Sequence, residues 1–147
     1  MSARWLGAAA LLLCACTKAE PELRAEDRPE LKKIVAEDVR ASQALHAADE
    51  AAAKGDAKAA LDLVDRQAAP AIDEGLRLAD ATAPRTAWGR AKRDAIAAVL
   101  RDRKTELPRY TDALKSGDPE KLLGAIEAQA VIERRALAAV AGIDEGR

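Results

Sequence analysis

The sequence predicts an all-α protein: an antiparallel up-down-up-down four-helix bundle that follows an apolar leader and a short tether. Three observations predict it. Hydrophobic residues make up 49 % of the chain, much of it alanine, while aromatics are 2 %, Phe is absent and charged residues are 33 %. That composition suits long helices and few strands. Two Gly-Asp junctions, Gly55-Asp56 and Gly117-Asp118, punctuate the chain as helix stop and start signals. Between them, apolar residues recur at the period of a helix, about 100° per residue. The chain has 147 residues, enough for one domain.

Residues 1–15 come first. Arg4 supplies a positive start, and Trp5 to Leu13 form an apolar run ending in small residues. That is the layout of a secretory signal. The run falls short of the roughly 20 apolar residues a membrane-spanning helix needs. Its end, Leu13-Cys14-Ala15-Cys16, resembles the lipobox of bacterial lipoproteins, with Leu at −3, a small residue at −1, then the acceptor cysteine. Cys14 at −2 departs from the usual Ala or Ser. The resemblance covers residues 1–16 and implies diacylglycerol on the Cys16 sulfur, cleavage before Cys16 and acylation of the new amino group. Cleavage would leave Cys16 as the sole cysteine. An internal disulfide would then be impossible, and acylation would remove a bare thiol from an oxidising compartment. One acyl chain holds a protein only marginally, whereas two or more hold it firmly. By the same resemblance, Thr17 in place of Asp points to the outer rather than the inner membrane.

Residues 16–28 read as the lipidated cysteine and a flexible tether, polar and containing Pro21. Residues 29–142 read as the bundle. Its first helix starts at Asp27-Arg28-Pro29-Glu30, with Asp27 as cap and Pro29 in the first turn, and runs to Lys54. The second runs from Asp56 to Asp80. The third starts near Pro84 and ends before Gly117. The fourth opens on Asp118-Pro119-Glu120 and ends near Gly142, leaving 143–147 as a tail. Short connections make neighbouring helices antiparallel. Pro70 and Pro108 fall inside helices and predict kinks, with a break at Pro108 as the alternative. The stretch from Gly55 to Ala68 partly repeats from Gly117 to Ala130. Its Gly-Asp-x-x-x-Ala-Leu phrase resembles the turn of tetratricopeptide repeats, which would imply a helical-hairpin interaction protein. The period of about 34 residues and the large aromatics of that family are missing.

Each helix carries an apolar stripe. The third holds Trp88 and Tyr110, both read as core. The fourth holds Leu122, Leu123, Ile126 and Leu137. Polar residues share these stripes. Asp38, Ser42, His46 and Asp49 lie on the first, Lys92, Arg103 and Glu106 on the third, Gln129 and Glu133 on the fourth. Counted from the two glycine turns, Asp38, Arg103 and Glu133 lie at one depth, and His46, Glu106 and Gln129 at another. Buried charges must be paired, so Asp38, His46, Arg103, Glu106 and Glu133 form the candidate buried polar network.

These residues also define what the chain does not encode. His46-x-x-Asp49, with Glu106 and Glu133, is the only arrangement suggesting a metal, and a single His is too few for the ferritin-like pattern. Ser42, His46 and Asp49 share one rigid helix, which is wrong for a catalytic triad, and no Gly-x-Ser-x-Gly elbow exists. Haem-attachment and glycine-rich phosphate-loop motifs are missing, so no cofactor is expected. Removing residues 1–15 takes away one base and no acid, leaving the 25 acidic residues in slight excess. Such a balance lacks the basic face a nucleic-acid binder needs. The expected function is a non-catalytic binding or scaffolding module, held in the cell envelope by lipid on Cys16. A bundle binding a metal or small ligand in a polar interior is the alternative, recognisable by a polar cavity open to solvent.

Overall fold

The computed structural model describes residues 18–144, and all of its regular structure is helical. The expected signal segment (residues 1–15), Cys16 and Thr17 lie outside the described residues. The chain forms α1 (Glu20–Ala53), α2 (Ala57–Leu63), a π-helical turn (Val64–Ala68), α3 (Ala69–Ala81), α4 (Ala87–Ser116) and α5 (Pro119–Val140). α2, the π turn and α3 form one rod, so the architecture is a four-helix bundle.

α1 begins two turns before its expected start. Glu20-Pro21-Glu22 provides the N-terminal signature that Asp27-Arg28-Pro29-Glu30 also offered, with Pro21 in the first turn and Glu20 and Glu22 near the positive end of the helix dipole. Most of the expected tether, from Glu20 onward, is therefore helix. The segment is held because the α3–α4 connection grips it. Asp27 is buried and accepts hydrogen bonds from the backbone N–H groups of Arg85 (2.7 Å) and Thr86 (3.0 Å) and from the Thr86 hydroxyl (2.6 Å). Thr86 in turn caps α4 by accepting from the Gly89 N–H at 2.8 Å. Gly89 has to be glycine, since a Cβ there would lie 2.7 Å from the Pro84 Cβ and collide with the Asp27 carboxylate. Arg24 and Arg28 place their guanidinium carbons 5.8 and 5.7 Å from the centre of the Trp88 ring, which is only partly buried.

The glycine turns behave as the sequence predicts. Gly55 and Gly117 have φ of 80° and 64°, and the following Asp56 accepts from the Ala59 N–H of α2 and Asp118 from the Glu120 and Lys121 N–H groups of α5. Pro108 neither breaks nor ends α4, which is continuous over 30 residues. Pro70 is accommodated differently. The Ala69 N–H bonds to the Val64 carbonyl, five residues back, and this wide turn relieves the crowding a proline ring imposes on the preceding turn. α1 alone is 34 residues long, the length of a whole tetratricopeptide repeat, so the turn phrase does not carry that architecture.

The core is thin, as an alanine-rich chain requires. Ala41, Ala44, Ala48, Ala60, Ala68, Ala71 and Ala97 let helices approach closely around Leu31, Ile34, Ile72, Ile96 and Leu100. Ile143, expected in the tail, is 2 % exposed and closes one end of this core. Leu123 and Leu137, expected in the core, are 58 % and 64 % exposed. The reason is α5's position: it packs along α4 and touches α1 only sparsely. Its apolar stripe is therefore half used, and the bundle is open along the α1–α5 edge.

Candidate functional site

The open edge forms a groove. α1 provides one wall through Ser42, Leu45, His46 and Asp49. α5 provides the other through Ile126, Gln129, Ala130, Glu133 and Arg134, and Arg103 of α4 lies at the bottom. The space is about 210 Å3 and open to solvent.

At its deep end sits an ion-pair network. Arg103 is 1 % exposed, and its Nε donates to Asp38 Oδ1 at 2.8 Å. Its Nη2 donates to Glu133 Oε2 at 2.8 Å, and the same oxygen accepts from the Ser42 hydroxyl at 2.9 Å. The structure thus brings Asp38, Arg103 and Glu133 together. Burial alone would push the Glu133 carboxyl up. Hydrogen bonds from Arg103 and Ser42, with the charges of Arg103 and His46, outweigh that and hold it below the usual carboxylate range.

The second expected layer does not form. His46 is exposed at the groove mouth. Glu106 lies on the opposite side of α5, in a shallow cleft with Thr105, Val131 and Arg135. Its Oε2 is 3.6 Å from Arg109, within ion-pair range but beyond hydrogen-bonding distance. Counting from the turns put these side chains at one depth, but α5 lies between Glu106 and the groove that His46 and Gln129 line.

Asp49 contributes differently. It accepts a hydrogen bond from the Tyr110 hydroxyl, one turn from the α1 C-terminus. Burial pushes the Asp49 carboxyl up, and the Tyr110 hydroxyl and His46 charge offset this only in part, so it titrates above its ordinary value. Burial and the Asp49 charge together raise the Tyr110 phenol. With Asp49 on Tyr110 and Ser42 on Glu133, the Ser42-His46-Asp49 set does not converge. Among the described residues, no group of three or more His, Cys, Asp or Glu is placed to hold a metal ion.

Gln129 is the unusual residue of the groove. It is 8 % exposed, and its Oε1 and Nε2 are both buried without a hydrogen-bond partner. An unpaired buried donor or acceptor costs about 1–3 kcal/mol. Sequence reasoning placed Gln129 on a core-facing stripe but did not mark it as a site. It missed the Asp27–Thr86 clamp altogether, reading Asp27 as a cap, although Thr86-x-x-Gly89 was legible as a helix start. Lys92, on the same stripe of α4, donates to the Ala139 carbonyl at 3.0 Å near the end of α5. No family model, curated protein or solved structure matches the chain, so the site stands on its own geometry.

Proposed function

We propose that this chain is a lipid-anchored cell-envelope protein whose helical bundle serves as a non-catalytic binding or scaffolding module. The observation that carries the reading is Leu13-Cys14-Ala15-Cys16 at the end of a short apolar run that follows Arg4. The described residues contain no helix long and apolar enough to cross a membrane, so attachment would rest on lipid. Thr17 favours the outer membrane. Ser42 and Asp49 are engaged with Glu133 and Tyr110, which supports the non-catalytic part.

The test is metabolic labelling of Cys16→Ala beside the unaltered chain in a bacterial host. Labelled palmitate is expected on the unaltered protein, which fractionates with membranes. The variant is expected to carry none and to leave the membrane fraction. Undiminished label on the variant, or unlabelled wild-type protein in the aqueous fraction, overturns the proposal.

A further inference from the structure

The groove between α1 and α5 has a shape and chemistry of its own, unrelated to any anchor at Cys16. Its volume of about 210 Å3 is below the roughly 300–1,000 Å3 of pockets for drug-sized ligands, so its occupant is small. Leu45, Ile126 and Ala130 give it apolar walls. Its charges cancel, Arg103 and Arg134 against Asp49 and Glu133. The deep ones are already matched, Arg103 to Asp38 and Glu133, and Asp49 carries the Tyr110 hydroxyl. An ionic ligand would find no unmatched charge at depth.

What the groove does hold unmatched is the amide of Gln129. A primary amide presents one acceptor and two donors side by side. Its natural complement is the edge of another primary amide, which presents an N–H and the C=O on the same side and closes two hydrogen bonds at once. Both atoms are buried without a hydrogen-bond partner in the protein. A glutamine side chain has three rotatable bonds, so a rotamer change toward the groove exchanges an unpaired burial for a paired one. We propose that the groove is a binding site for a small neutral primary amide carrying a short aliphatic group, with Gln129 reading the amide edge and Leu45, Ile126 and Ala130 receiving the aliphatic part.

The experiment titrates the full chain, in detergent micelles, with N-acetyl-leucinamide while recording proton–nitrogen NMR spectra. A second probe is the same compound methylated at every nitrogen, which keeps the carbonyls and the aliphatic group but has no N–H. The first probe is expected to move the Gln129 side-chain amide signal and the backbone signals of Ser42 and Ala130 saturably, in the millimolar range typical of so few atoms. The methylated probe is expected to bind about tenfold more weakly, as is the first probe to Gln129→Leu. Ala130→Trp, at an exposed position, fills the groove mouth and is expected to abolish the shifts with the helical circular dichroism unchanged. It decides the matter if Gln129→Leu fails to fold. No saturable shift, equal binding of the two probes, or equal binding by wild type and Ala130→Trp overturns the proposal. None of these outcomes depends on lipid at Cys16.

Discussion

Among the described residues, Arg103 and Tyr110 are the largest fully buried side chains, in a chain that contains no Phe. Their long, polar-tipped bodies fill space between helices whose other contacts are largely alanine, and their tips are met by Asp38, Glu133 and Asp49. A core built this way is sensitive to the loss of a partner. Asp38→Ala leaves the Arg103 guanidinium with Glu133 alone, and a loss of about 3 kcal/mol is expected in urea unfolding. Arg103→Met together with Asp38→Leu removes both charges and is expected to recover much of that loss. Acid acts on the same scale. Burial would raise the Asp27 carboxyl, but the Thr86 hydroxyl and the N–H groups of Arg85 and Thr86 outweigh it and hold it below its ordinary value. With a depressed folded-state pKa, Asp27 contributes stability that is fully present above the unfolded value of about 3.9. That contribution is lost as pH falls through the folded value. Glu133 behaves in the same direction. Asp49 is opposite in sign, because its raised pKa makes ionisation in the fold unfavourable. Unfolding midpoints are therefore expected to fall below about pH 4, and Thr86→Val, which removes one donor to Asp27, should shrink that fall.

At the scale of elements, the reading from sequence was strongest where local chemistry alone decides. Gly55-Asp56 and Gly117-Asp118 define turns through φ and capping, and both need nothing beyond their neighbours. Arg103, Asp38 and Glu133 were legible as one depth because long straight helices convert distance from a turn into height. The α1 start was not legible, since Glu20-Pro21 and Asp27-Arg28-Pro29 offer the same signature. The choice rests on Thr86 and Arg85, some sixty residues away in sequence. Glu106 and Leu137 were misplaced for a related reason: a wheel gives direction but not which neighbour is present. The α3–α4 clamp has a sharp test. Gly89→Ala puts a methyl group against Pro84 and Asp27 and is expected to destabilise by about 2 kcal/mol or more in thermal or urea unfolding. Gly75→Ala meets the Leu100 Cδ1 at 2.8 Å and the Glu37 Cβ at 3.2 Å, a smaller overlap, and should cost less.

For the whole molecule, the unequal edges of the bundle set a gradient of local stability. α1 packs against α2, the π turn, α3 and α4, whereas α5 relies chiefly on α4. Elements with fewer buried apolar contacts open at lower free energy. Amide hydrogen exchange is expected to be faster in α5 than in the central turns of α1 and α4. Equal protection across all helices would mean that the α1–α5 edge is closed in solution. The same asymmetry leaves Leu123, Val131 and Leu137 on the outside of α5, at 58 %, 48 % and 64 % exposure.

The wide turn at Val64–Ala68 carries a consequence for how this rod tolerates changes in length. Ala60, Val64, Ala68 and Ile72 are all buried and step strictly by four. Ordinary α winding, at 3.6 residues per turn, would swing such a series about 40° further round the axis with every step. The π geometry takes up one surplus residue and lets the series face inward along its length. Asp65, Arg66 and Gln67 are the exposed residues there. Excising one of them would return the backbone to regular winding while the residues beyond keep their bearing. A cut of the same size in the middle of α4 would turn everything downstream by about 100° and expose what α5 covers.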